Sequence, residues 1–485
     1  MLKKILSKIK SKEFWIFVLV AFSFVLIKVF QIKFKFSDGN IYFYMGDALL
    51  RGELPYADFF LASPPLQVLV ISGFLGVIRL LGLKLIFLKL VPIIASVISA
   101  FFLYLISKKI LPAFYSLITP FLYLFSFSVL TTSDYSSGVH LTTMFFVISL
   151  YFVVNKKKPL WGGVFSALAL LTRLYVAPAI LGLLIYLLLK DRKNFLRFSL
   201  SLGLIFVSIN LVLLGFFGAD YFESVYRYHL LKSEGLSKTK VLTFFVNWDL
   251  ILLILAGGVL FLKRKKEVLL PSLVILTTAL FFITYSDIYY LYLVLLIPAL
   301  SLLAGWTIYR SSQYFFTRNS NVFKLCFVFL LTALLIFVFS YNTAFYIKDH
   351  ASVANITFLD DISKEIEEGS KPEARVYGSF DIAPLVALES NRRIAGNFID
   401  TNRKTFLTGM YDVHKRTQAL EGKVKFVILR ATVNNQGQVI KMDNIIEKSF
   451  LDKKCKLKNT YYTTKDYTQN ATLLFECSIN NSNRN

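Results

Sequence analysis

Apolar runs long enough to cross a bilayer recur along this chain, with short clusters of Lys and Arg between alternate pairs of them. A helix needs about 20 apolar residues to span the hydrocarbon. Such runs cover roughly 13–32, 86–107, 110–131, 138–154, 160–175, 177–190, 196–217, 241–262, 268–285, 288–309 and 323–341. Basic clusters follow in the tail before residue 13 and at 108–109, 156–158, 190–197, 263–266 and 310–324. Positive loops stay in the cytoplasm. The pattern therefore predicts about eleven crossings, a cytoplasmic N-terminus and an extracytoplasmic C-terminal region. The first run is too long, and lacks the small-residue cleavage site, to be an ordinary signal peptide.

Net charge alone would suggest a different partner. The formal charge is +24, which in a soluble chain suits nucleic acid. Here 56% of residues are hydrophobic and the cations sit between apolar runs. Nucleic acid is excluded on that ground, and membrane lipids are the expected surroundings. The abundance of Phe (48) and Tyr (26) suits lipid-facing helices and interfacial belts.

Residues 33–85 form an outer loop in this reading. Its second half, 66–83, is apolar enough to cross, but a crossing would spoil the alternation of the later basic clusters. It is read as a helix lying in or dipping into the outer leaflet, with a crossing as the alternative. From 342 the composition turns polar. Residues 342–485 are enough for one soluble domain. Strand-like runs at 374–379 and 424–433, with helix-like runs at 358–369 and 404–420, predict an α/β domain. The expected fold class is thus a polytopic α-helical membrane protein, transmembrane over 1–341, with a C-terminal extracytoplasmic α/β domain. Cys455 and Cys477 flank two strand-like runs; a disulfide and two free thiols both fit. Cys326 lies in a span as a small apolar residue.

Charges at the outer ends of the runs are the candidate chemistry. Asp38 abuts the end of the first span, where a carboxylate is partly desolvated beside lipid headgroups. Asp134 sits alone in the short turn 131–138, and an ordinary turn residue is the bland alternative. Arg173 is an isolated charge in a long apolar tract, which is costly unless paired or facing a polar cavity. The loop 218–240 interleaves Arg227, His229 and Lys232 with tyrosines, which suits a phosphate or simple interfacial anchoring. Tyr289 and Tyr290 open a late span, where a tyrosine belt is equally ordinary. No Gly-rich phosphate loop, HExxH or GxSxG motif occurs.

In order, these features resemble the polyprenyl-phosphate-sugar glycosyltransferases of the C-type membrane fold, which include protein O-mannosyltransferases and aminoarabinose transferases. The matching pieces are Asp38 opening the first outer loop, the run Gly52 to Asp58 with Tyr56, the turn Pro64-Pro65-Leu66, and Asp134 in the next outer loop. Gly163 to Arg173 and the Tyr-rich stretch Tyr289 to Pro298 follow in place. The likeness covers roughly 10–340. Asp38 here is followed by Gly39 and Asn40 where family members often place a second acid.

The resemblance implies a sugar donor carried on a polyprenyl phosphate and transfer with inversion. Asp38 would act as general base, and Asp134, the second catalytic candidate, would orient the acceptor, hold Asp38's partner or bind a divalent ion. Arg173, Arg227, His229 and Lys232 would bind the donor phosphate, and Tyr56, Asp58, Tyr289 and Tyr290 the substrate. No cofactor is required by the motifs; a divalent metal ion, if used, would sit on Asp38 and Asp134. The acceptor is a protein, lipid or polysaccharide. Two other readings stay open, a lipid-linked-sugar flippase and an assembly protein acting through its C-terminal domain. A flippase would carry charges in midplane helices and internal repeats, whereas the polar residues here gather at the outer ends.

Overall fold

The computed structural model describes residues 11–232, 235–262, 266–318, 321–352, 355–434, 436, 438–462 and 469–478. The basic tail before residue 11 and most of the 263–266 cluster lie outside the described residues.

Each of the eleven expected spans coincides with apolar helical structure. Lys12–Phe30, Leu85–Ile110, Arg192–Leu231, Lys266–Thr284, Tyr290–Phe316 and Asn321–Lys348 are long and apolar enough to cross a membrane. A bent pair, Lys238–Trp248 with Leu250–Phe261, supplies another candidate, and Tyr115–Leu124, Val139–Val154, Pro159–Thr172 and Leu174–Lys190 are shorter apolar helices. The chain is a multi-pass helical membrane protein. The final apolar helix runs on to Ser352, past the point where the composition changes.

Two runs that read as continuous are broken, and the breaks answer each other. The run 110–131 divides into Ile118–Leu124 and Phe127–Thr132. The pair around residue 249 bends by 78°. Asp249, at that bend, accepts hydrogen bonds from the backbone N–H of Phe127 (3.0 Å) and Ser128 (3.2 Å) and from the Ser128 hydroxyl. One buried carboxylate thus satisfies two of the orphan donors of the restarted helix, and the Ser126 hydroxyl accepts from a third, Val129 N–H.

The segment after Pro64-Pro65 is the helix Leu66–Leu80. Its 15 residues span about 22 Å, short of the roughly 30 Å hydrocarbon. It packs on a second short helix, Gly39–Leu50. Gly46 makes the close approach possible, since a Cβ there would meet Ile71 Cγ2 at 2.8 Å and Ser72 N at 3.1 Å.

The C-terminal region is a mixed sheet with helices. Its strands are β1 (Arg375–Gly378), β2 (Arg393–Ile394), β3 (Phe426–Val433), β4 (Val439–Met442), β5 (Cys455–Tyr462) and β6 (Gln469–Cys477). Their order is β2-β1-β3-β6-β5, with β4 also on β3. β1 is parallel to β2 and β3; the β3–β6, β5–β6 and β3–β4 pairs are antiparallel. Cys455 and Cys477 face each other in register and form a disulfide. The helix expected over 404–420 is two pieces, Arg403–Leu407 and Val413–Leu420. Gly409, at φ +74°, lies in the gap between them, a left-handed backbone that ends a helix.

This region is fastened to the segment after the first span. Ile356 N–H donates to the Phe34 carbonyl at 3.0 Å, Asn40 Nδ2 to the Asp381 carbonyl at 2.5 Å, and Ile394 N–H to the Tyr44 hydroxyl at 2.7 Å. Ile41, Phe43, Ile362, Ile382, Leu385 and Ile428 form one buried apolar cluster across the junction. Burying apolar surface on both sides makes the junction a shared core.

Candidate active site

Asp38 stands at the N-terminal boundary of the helix Gly39–Leu50, in the loop that leaves the first span, and its side chain makes no capping hydrogen bond. It opens onto a cavity of about 340 Å³. Arg173, His229, Lys232, Asp287, Tyr289 and Tyr292 line it from the ends of the apolar helices. Asp400, Asn402 and Lys404 line it from the C-terminal region.

Local chemistry places each group. Arg173 is held where the helix Pro159–Thr172 ends, in an extended backbone conformation before the next turn. Its Nε donates to the Ser137 carbonyl at 2.7 Å, and its guanidinium lies 4.8 Å from the Tyr42 ring centre. Gly138 supplies the room: its φ is +85°, and a Cβ would come within 2.9 Å of Arg173 Nε. Gly218, at φ +55°, breaks the long helix that begins at Arg192. The short helical turns after that break bring Tyr228 and His229 to the cavity, and Lys232 follows them. His229 Nε2 donates to the Ala62 carbonyl at 2.8 Å, tying this segment to the Pro-Pro turn.

Asp287 gathers two lysines. It is 1% exposed, its Oδ1 is bonded by Lys404 Nζ, and its Oδ2 lies 3.5 Å from Lys232 Nζ. Lys404 also stands over the Tyr289 ring and Lys232 over the Tyr228 ring, each 4.5 Å from the centre.

Charge state follows from burial. Asp38 is exposed towards the cavity, with protein packed around it. Desolvation pushes its carboxyl above the ordinary range, and Arg173, Lys232 and Lys404 pull it back. Asp400 is pushed up to about 6, mainly by burial; the hydrogen bond from Asn402 N–H at 3.0 Å opposes this, and the charge of Asp38 adds to it. Burial lowers the Lys232 ammonium, Asp287 counters that, and Lys404 reinforces it.

Of the residues singled out in the sequence, the structure brings Asp38, Arg173, His229, Lys232 and Tyr289 to one cavity. Others lie elsewhere. Asp134 does not line it: its carboxylate is fully buried against Lys28 Nζ at 2.8 Å and Lys89 Nζ at 3.7 Å. A charge beside apolar helices must find a partner, and Asp134 finds Lys28 from the first span. Arg227 points away, exposed and paired with Glu223 at 2.7 and 2.9 Å, because neighbouring positions on a helical turn face different sides. Tyr56 is buried, donates to the Ser63 carbonyl at 2.7 Å and packs edge-on against Tyr221. Asp58 is exposed and accepts from Leu54 N–H at 2.6 Å. Both shape the 52–65 loop without lining the cavity. Tyr290 packs towards Phe244, one residue out of phase with Tyr289.

Asp38 and Asp134 therefore share no cavity, and a divalent ion held by those two does not fit. Among the described residues no group of three or more His, Cys, Asp or Glu side chains could hold a metal ion.

Sequence reasoning missed Asp400, Asn402 and Lys404. They sit in an ordinary polar stretch, IDTNRKT, with nothing to separate it from the rest of the C-terminal region. Asp287 was legible as a charge at the start of a Tyr-rich span, but its lysine partners were not.

No protein-family model matches the chain, and no curated protein matches it by sequence. Solved structures do match. ArnT from Cupriavidus metallidurans bound to undecaprenyl phosphate superposes with a TM-score of 0.66 at 14% identity, covering 96% of this chain and 98% of that one. The apo state of ArnT gives 0.64 at 15% identity, over 95% and 97%. The arabinofuranosyltransferase AftD from Mycobacteria gives 0.54 at 13% identity, over 97% of this chain but 40% of that one. At such identities the shared property is the fold, and the chain has the C-type glycosyltransferase membrane fold over nearly its whole length.

Proposed function

We propose that the protein is a membrane glycosyltransferase that moves a sugar from a polyprenyl-phosphate carrier to an acceptor hydroxyl or amine. The observation that carries this is one carboxylate, Asp38, opening onto a cavity that also holds Arg173 and Lys232, in a fold shared with two glycosyltransferases. An ArnT structure holds undecaprenyl phosphate, which supports a lipid phosphate as the donor's carrier here.

The chemistry is a single displacement with inversion. The acceptor heteroatom attacks the anomeric carbon as the carbon–oxygen bond to phosphate breaks. The electron pair of that bond leaves on the phosphate oxygen, giving the polyprenyl monophosphate. The acceptor proton passes to Asp38, whose raised proton affinity suits a general base. Charge developing on the phosphate is met by Arg173 and Lys232, with His229 beside them. Tyr289 would line the substrate's path.

Residues 1–341 would hold the transferase unit and 342–485 a soluble domain. The basic clusters support a cytoplasmic N-terminus and an extracytoplasmic C-terminal domain, and the Cys455–Cys477 disulfide supports the latter.

The test is sugar transfer from radiolabelled undecaprenyl-phosphate sugars in proteoliposomes, wild type against Asp38→Asn. Loss of the base should cost about 10²- to 10⁴-fold in turnover with carrier binding retained. If wild type moves no label from any lipid donor, the reading fails.

A further inference from the structure

Two ammonium groups from distant parts of the chain meet at one buried carboxylate beside Asp38. Lys232 follows the helical turns after the long helix, and Lys404 comes from the short helix Arg403–Leu407 of the C-terminal region. Both converge on Asp287, which is 117 residues from Lys404 in sequence. Asp287 lies between the two lysines, and the cavity as a whole sets three cations, Lys232, Lys404 and Arg173, against three carboxylates, Asp38, Asp287 and Asp400. An ammonium has three donors. The hydrogen bond from Lys404 goes to Asp287 alone among the described residues, and the Asp287–Lys232 contact at 3.5 Å is an ion pair without a hydrogen bond. Donors therefore remain on both lysines, whose side chains are 11% and 14% exposed, and an anion binds such partly desolvated donors more strongly than it does in solution.

We propose that Lys404 is a phosphate-binding residue of this site, forming with Lys232 a two-ammonium clamp that Asp287 holds together. The C-terminal region then takes part in binding the carrier's phosphate, and the site is incomplete without it. The ligand is the phosphate of a lipid carrier, which the clamp grips by the donors that Asp287 leaves unused. The inference deepens the proposed transfer reaction and rests on it for the identity of the ligand.

Binding, not turnover, tests it. Full-length protein in nanodiscs is titrated with undecaprenyl phosphate and, separately, with undecaprenol, at low and high salt. Lys404→Met and Asp287→Asn remove the same ion pair, but only the first removes a cation. Lys404→Met should bind undecaprenyl phosphate roughly ten- to a hundredfold more weakly, the worth of a charge-assisted hydrogen bond. Its affinity should also depend less on salt, and Lys404→Arg should recover most of the loss. Asp287→Asn should lose far less, and undecaprenol should not distinguish wild type from Lys404→Met. Competition by millimolar orthophosphate would show that the phosphate group suffices; Lys404-dependent binding without such competition would assign the clamp to the lipid-borne group. Equal losses in the two variants, a matching loss for undecaprenol, or unchanged binding in Lys404→Met would overturn the proposal and leave Lys404 a latch. A wild type that binds carrier through Lys404 yet transfers no sugar would sink the reaction while leaving the clamp.

Discussion

Arg173 Nε donates to the carbonyl of Ser137 at 2.7 Å, and that bond joins the cavity to the turn anchored by Asp134. The turn runs from Thr132, through Asp134 held by Lys28 and Lys89, to Ser136, whose carbonyl accepts from Gln67 at 3.0 Å, and on to Ser137. Asp134 thus stands behind the cavity, where it can fix the orientation of a cation without touching substrate.

Asp134→Ala should act first on stability. It leaves Lys28 and Lys89, both buried, without their carboxylate. Breaking a buried ion pair by removing one partner costs about 3–5 kcal/mol. A large drop in melting temperature is expected, with residual activity following the folded fraction. A variant of unchanged stability whose turnover alone collapses would instead put Asp134 back among the reacting groups.

Gly138→Ala should disturb Arg173 directly. The residue has φ +85°, and the added carbon would lie 2.9 Å from Arg173 Nε. Left-handed backbone in a non-glycine residue costs about 1–3 kcal/mol. The displaced guanidinium should also weaken donor use beyond that stability loss. Steady-state kinetics at a temperature where the variant is fully folded separates the two; wild-type constants there would show that Arg173 need not hold its position.

How far the site could be read from sequence follows from what a charge does in an apolar setting. Asp38 and Arg173 stand at or within apolar runs, where an ion must face water or a partner, so each was visible as a problem needing a solution; Lys232 was visible only as one of three cations interleaved with tyrosines in the loop 218–240. Asp134 posed the same problem, but its solution was Lys28, a single lysine in the first span and 106 residues away. Which partner an isolated charge takes depends on packing, and linear order does not carry that. Lys404 and Asp400 posed no problem at all, since polar residues in a polar stretch need no explanation until the fold places them over the cavity. The spans were legible because length and apolarity repeat. The break at Ser126 was hidden because the residues flanking it are as apolar as the rest of the run; Asp249 was an isolated charge within the run 241–262, but its partner, the start of the helix at Phe127, was not legible.

The pH profile should report the electrostatics around Asp38. The base must be ionised, so kcat/KM rises as pH climbs through the pKa of the Asp38 carboxyl. Burial raises that value, and Arg173 is the largest of the influences that lower it, ahead of Lys232 and Lys404. Removing a lowering influence raises the pKa. The acid limb of Arg173→Met should therefore move to higher pH, and that of Lys404→Met should move the same way by less. The position of the limb is the readout, because loss of a phosphate ligand lowers the amplitude in both variants. A limb that stays put in Arg173→Met would mean that another group governs it.

The disulfide offers a test of orientation that does not depend on the reaction. Cys455 and Cys477 lie opposite each other across the β5–β6 pair, 22 residues apart in sequence. Such bonds persist in oxidising compartments and are rare in the cytosol. With the C-terminal region outside, denatured protein purified without reductant should take up one thiol-reactive label, on Cys326, and three after reduction. Three labels before reduction would place this region in the cytosol and overturn the assigned orientation. Cys455→Ser should destabilise the sheet by about 3 kcal/mol, the loop-closure value for a crosslink of this span. Because Lys404 and Asp400 reach the cavity from the segment that joins β2 to β3 of this sheet, the same variant should bind undecaprenyl phosphate less tightly near its melting temperature and normally well below it.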